Sequence, residues 1–162
     1  MRNVFYSFHY GNDVMRAMVV RNHWVTKGGQ KISGIIDKVE FEKVKRNGDA
    51  SIKRWIDSQM IGTTVTIVLI GEETLNREYV QYEIMRSIER GNAILGIRIS
   101  SIKDALTGKT SPKGNVHTII GRKNGSPVYF DNVCYAVYDY IADNGYANMD
   151  IWVEMAAQSK GK

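Results

Sequence analysis

The chain has one cysteine, Cys134, and two prolines among 162 residues. A lone cysteine excludes an intramolecular disulfide and any cysteine-rich zinc site. Long apolar runs are also missing: the longest, Val65–Ile70, falls far short of the ~20 residues a membrane span needs. The N-terminus, MRNVFYSFHYGND, holds no apolar segment of signal-peptide length. These absences lead to the expectation of a soluble, cytoplasmic protein with no membrane partner. Excess charge is scarce too, with 22 Lys and Arg against 17 Asp and Glu, a net +5. It is not gathered, because Glu40 and Glu42 directly precede the densest basic patch, Lys43–Arg46. With no nucleic-acid-binding module in the chain, no nucleic-acid partner is expected.

What is present is ordinary globular material, 43% hydrophobic and 24% charged, which excludes a disordered chain. The length suits one domain, 1–162, with its own core. Val4–Phe8 reads as a strand, closed by a turn at Gly11-Asn12-Asp13, with Asp13 capping a helix that Lys27-Gly28-Gly29 breaks. Residues 30–48 stay ambiguous, with Ile32–Ile36 a candidate short strand. Ile52, Trp55, Ile56 and Met60 then recur at the spacing of a core-facing helix stripe, capped by Asp49 or Ser51. Thr63–Ile70 is a β-branched run that suits a central strand covered on both faces. A helix from Asn76 buries Val80, Ile84 and Ile88, and Ala93–Ile99 is a further buried strand. Strand, helix, strand, helix, strand in such short order predicts βαβ units. Ser101–Pro127, rich in Gly, Lys and Ser, reads as a long loop or a pair of excursions that shape specificity or partner contact rather than the core. Tyr135–Ile141 is a candidate last strand, and Met149–Ala157 a final helix. The expected fold is α/β: a flavodoxin-like three-layer sandwich around a mostly parallel sheet of about five strands.

Most catalytic motifs fail. Gly108-Lys109-Thr110 lacks the glycine that a phosphate loop needs at position 103, which is Lys. No GxGxxG follows the first strand, and no GxSxG or HExxH occurs. His9, His23 and His117 lack metal-ligand spacing, so no metal is expected. What remains is Glu83, on one shoulder of the helix beside Asn76, Tyr79 and Ser87. A shoulder carboxylate can face a cleft at the carboxyl ends of the strands. The plainer alternative is an ion pair with Arg86 or Arg90 on a solvated face.

The segments VFYSFHYGND, RWIDSQMIGTTVTIVLIG and NREYVQYEIMRSIERGNAILGIRI resemble the bacterial TIR-like proteins, specifically the TIR-like sensors of Thoeris anti-phage defence. Tyr79-Val80-Gln81-Tyr82-Glu83-Ile84 is similar to the TIR box W-C-x-x-E-L, with Tyr for Trp and Val for Cys. The family's catalytic glutamate falls on Glu83. Phe5-Tyr6-Ser7-Phe8 resembles the first TIR box, and its acidic residue falls on Asp13. The resemblance implies cleavage of NAD at the nicotinamide–ribosyl bond and production of a cyclic ADP-ribose-type signal that activates a separate effector. NAD is then substrate rather than cofactor. Glu83 is the catalytic residue, with Phe5, Ser7, His9, Asn12, Asp13 and Tyr79 binding substrate. A phage-derived trigger and a homo-oligomer belong to the same expectation. Since many TIR domains act by assembling, a non-catalytic interaction or nucleotide-sensing module is the alternative.

Overall fold

The β-branched run in the middle of the chain becomes the middle of the sheet. In the computed structural model, which describes residues 2–26, 32–33, 43 and 46–162, Val65–Ile70 forms β3 with all six residues buried. It lies between β1, Val4–Phe8, and β4, Ala93–Arg98. β2, Ile32–Ser33, flanks β1, and β7, Ala136–Asp139, flanks β4. The order is β2-β1-β3-β4-β7, and every pairing is parallel. The expected five-stranded parallel sheet is the one observed. The sequence readings at Lys27–Gly29 and Gly34–Ile36 lie outside the described residues.

Period-two alternation sorts β1 between two cores. Val4, Tyr6 and Phe8 join Ala17 and Val20 of α1 (Tyr10–Thr26) and Met149, Trp152 and Val153 of α5 (Gly145–Ser159). Phe5 points the other way, onto Ile52, Ile56 and Met60 of α2 (Asp49–Met60). On that same face Val68, Ile70 and Ile94 meet Val80 and Ile84 of α3 (Glu78–Glu89). Each such side chain contributes roughly 1.5–3 kcal/mol by leaving water. Two helices therefore cover each face, as the sandwich requires. None of the described helices is long and apolar enough to cross a membrane.

Three local readings change. Gly11–Asp13 is not a separate turn, because the Asp13 amide already donates to the His9 carbonyl at 2.9 Å, the i to i−4 bond of α1's first turn. Asn76 ends a single 3-10 turn, Thr74–Asn76, and α3 starts two residues later. The stretch 101–127 is not all loop. Ile119–Lys123 (β5) and Ser126–Tyr129 (β6) pair as an antiparallel hairpin that leads into the short helix Phe130–Val133 (α4). Asn124 and Gly125, at φ 52° and 82°, form its two-residue connection, the pair that a tight hairpin favours. Ile120 enters the core on the α3 side and Ile102 the core on the α1 side.

Candidate active site

Continuing the alternation of β1, Ser7 follows Phe5 onto the α3 side of the sheet. Ser7 is fully buried, and its hydroxyl lies near the Glu83 carboxyl without a well-formed hydrogen bond among the described residues. Opposite it, Glu83 extends from α3, its Oε2 buried and equally without a well-formed hydrogen bond among the described residues. Burial pushes the Glu83 carboxyl up to about 8, against a smaller stabilisation of the charged form by the nearby Ser7 hydroxyl. Burial thus favours the protonated form of this carboxyl.

The backbone at Glu83 is fixed from below. Ser87 Oγ donates to the Glu83 carbonyl at 2.7 Å and lies 2.6 Å from Thr66 Oγ1 on β3. Asn92 Nδ2 reaches Thr63 Oγ1 at 2.9 Å and Thr66 Oγ1 at 3.4 Å. This buried polar chain ties one turn of α3 to the sheet. The solvated ion pair is not formed. Arg86 instead donates to Asp57 at 3.0 Å and to Glu89 at 2.8 Å, leaving Glu83 unpaired among the described residues.

The other sequence candidates separate into groups. His9 follows β1, and its Nδ1 is buried without a hydrogen-bond partner among the described residues. Burial and the Arg77 guanidinium hold its pKa below the usual histidine value, so it is neutral at pH 7. Asp13 is buried and accepts from Thr74 Oγ1 at 2.9 Å, and Thr74 Oγ1 in turn accepts from the Gly71 amide at 2.7 Å. Burial raises the Asp13 pKa, while Thr74, His9 and Arg16 oppose the rise. Asn12 is exposed and makes one long bond, 3.4 Å, to Glu73. Tyr79, one helical turn before Glu83, donates its hydroxyl to Asp49 of α2 at 3.0 Å. Phe5 is 1% exposed and packs under α2. Ser7 and Glu83 are brought together, His9 and Asp13 form an adjoining cluster, and Phe5 and Tyr79 face α2.

Sequence reasoning missed Thr74, Arg77 and Arg16. Arg77 forms an ion pair with Glu73 beside His9. Arg16 is buried and donates to the carbonyls of Ile102 at 2.8 Å and Lys109 at 2.9 Å, clamping the segment after β4. A basic residue in the second turn of a helix that starts at a sheet's carboxyl edge was the available signal. Among the described residues, no three His, Cys, Asp or Glu side chains gather as metal ligands.

Two comparisons bear on this arrangement. The model of the family described as "Thoeris protein ThsB, TIR-like domain" matches residues 5–104, a span that includes Ser7, His9, Asp13 and Glu83. A Bacillus cereus (strain MSX-D12) protein named "Putative cyclic ADP-D-ribose synthase ThsB1" is 35% identical over 189 aligned positions. The match takes in 94% of this chain and 98% of that protein.

Proposed function

The chain belongs to the Thoeris ThsB TIR-like family, and from that premise we propose that it cleaves NAD at the nicotinamide–ribosyl bond and makes a cyclic ADP-ribose-type signal. Glu83 is the catalytic residue. The observation that supports this reading is the Glu83 Oε2, buried and without a well-formed hydrogen bond among the described residues, with the buried Ser7 hydroxyl close by.

Breaking the bond between the ribose C1′ and the nicotinamide nitrogen returns the bonding pair to the ring, which leaves as neutral nicotinamide. No general acid is required, because the pyridinium is positive before it departs. The ribosyl centre becomes oxocarbenium-like, and a carboxylate next to it in a dry site stabilises the developing charge. A nucleophilic atom of the same dinucleotide then captures C1′ and closes the ring; capture by water gives linear ADP-ribose instead. Ser7 orients the carboxylate or a ribose hydroxyl. Neutral His9 with Arg77 forms the polar wall at the end of β1, and Asp13 holds that wall in place through Thr74. NAD is the substrate, and no further cofactor takes part.

The whole chain, 1–162, acts as one TIR-like unit in the cytoplasm. Its diffusible product carries the signal to a separate effector, with a phage-derived cue and self-assembly as the means of control. The test is incubation of purified protein with NAD, with and without lysate from phage-infected cells, followed by chromatographic separation of the products. A cyclic ADP-ribose isomer plus an equal amount of nicotinamide is expected. Intact NAD under both conditions would leave the interaction-module reading in its place.

A further inference from the structure

Among the described residues, Glu83 is an acid without a counter-ion. The charged groups on the described elements around it are engaged elsewhere or face solvent. On α2, Asp49 bonds to Lys53 and Tyr79, and Asp57 bonds to Arg86 and Tyr82. On α3 itself Arg86 is shared between Asp57 and Glu89. Glu73 before α3 is paired with Arg77, and Arg98 of β4 donates to the Gly114 carbonyl at 2.7 Å. Arg122 of the hairpin donates to Gly125, and Lys123 beside it is exposed. Arg54 of α2 donates to Ser51, Glu78 of α3 and Arg90 after it are exposed, and burial with the Arg77 guanidinium holds the His9 pKa below the usual histidine value. Among the described residues, the Ser7 hydroxyl, which carries no charge, is the group that addresses the carboxyl.

A buried carboxylate without a cation is costly, so the proton stays on until a cation arrives. Building on the NAD-cleaving reading, we propose that Glu83 selects the oxidation state of the dinucleotide, taking the pyridinium of the oxidised form as its counter-ion and rejecting the neutral dihydropyridine of the reduced form. Entry of the cationic ring expels the Glu83 proton to solvent and leaves a carboxylate–pyridinium pair. The same proton loss arms the site, because the carboxylate that appears is the group needed next to the ribosyl cation. The reduced dinucleotide offers no charge to offset ionisation, so it meets a protonated acid and gains nothing from it. Burial, which raises the carboxyl to about 8, supports this ordering of events.

The test uses the full-length protein and two dinucleotides of opposite ring charge. Carbocyclic NAD keeps the pyridinium but has no cleavable glycosidic bond, and NADH is the neutral partner. Binding of each is measured calorimetrically from pH 6 to pH 9, in buffers of different ionisation enthalpy. Carbocyclic NAD is expected to bind about tenfold tighter per pH unit below pH 8, with a proton released, and to level off above it. NADH affinity should stay flat. Glu83→Gln should bind both analogues without proton release and with no pH dependence, and Ser7→Ala should keep the preference while moving its midpoint upward. Equal affinities with equal pH profiles in the wild type would overturn the proposal, as would a preference that survives in Glu83→Gln. Turnover of NAD itself, followed in the same preparation, separates two failures. Cleavage without charge discrimination overturns this inference alone; no cleavage and no binding of carbocyclic NAD overturns the reading beneath it.

Discussion

The Asp13 carboxyl occupies the space that a side chain at Gly71 would fill. A Cβ built at Gly71 meets both Asp13 oxygens and their carbon well inside contact distance. The backbone at Gly71 is not in the left-handed region, so the requirement is for space rather than conformation. β1 and β3 are neighbours, and α1 and α3 start just beyond their carboxyl ends, so this contact fixes how the two helices flank the site.

Gly71→Ala is therefore expected to cost roughly 1–3 kcal/mol, the usual price of overpacking. The same change should cost measurably less in an Asp13→Ala background, because the two residues share one space. Urea denaturation of the four proteins checks this. Equal costs in both backgrounds would show that the two side chains do not compete.

Stability should depend on pH through Glu83, and the sign follows from the direction of its shift. The folded-state value of about 8 lies above the ordinary 4.5. The contribution of such a group is fully present below 4.5 and is lost as pH rises towards 8, by roughly 1.4 kcal/mol for each unit within that window. Glu83→Gln has no such loss. Its melting temperature should match the wild type near pH 4.5 and exceed it increasingly up to pH 8, a stabilisation gained at the expense of function. A gap that does not change with pH would contradict the burial of the free acid.

Much of the fold was legible from the residues themselves. Val65–Ile70 and Ala93–Ile97 are apolar on both sides of the pleat, and only a strand between two helical layers buries both. The stripe Ile52, Ile56, Met60 places α2 for the same reason. The hairpin was hidden because Arg122, Lys123, Ser126 and Pro127 are exposed, which leaves Ile120 and Val128 as the residues that pack on the α3-side core. Asn124-Gly125 was its one local signature. At the site, the helical angle of Glu83 was readable, but its lack of partners was not. That depends on Arg86 turning towards Asp57, a residue of another helix.

The hairpin yields a pair of contrasting substitutions. Ile120→Ala should destabilise the fold by roughly 2–5 kcal/mol, since the side chain is 1% exposed among the α3-side residues. Leu106→Ala, at a residue 82% exposed, should change stability by about 0.5 kcal/mol or less. Thermal melts compare the two. Indifference to Ile120→Ala would return the whole of 101–127 to the status of a surface loop.

The measurement that tests the central claim most directly is the initial rate of nicotinamide release from NAD by the wild type, Glu83→Gln and Glu89→Gln. The last is the control: Glu89 lies on the same helix, its side chain 61% exposed, and Arg86 keeps Asp57 when that contact is lost. The account predicts a loss of ~10²-fold or more for Glu83→Gln, the scale of removing one electrostatic stabiliser, and a wild-type rate for Glu89→Gln. Nicotinamide released by a folded Glu83→Gln protein at the wild-type rate would contradict it.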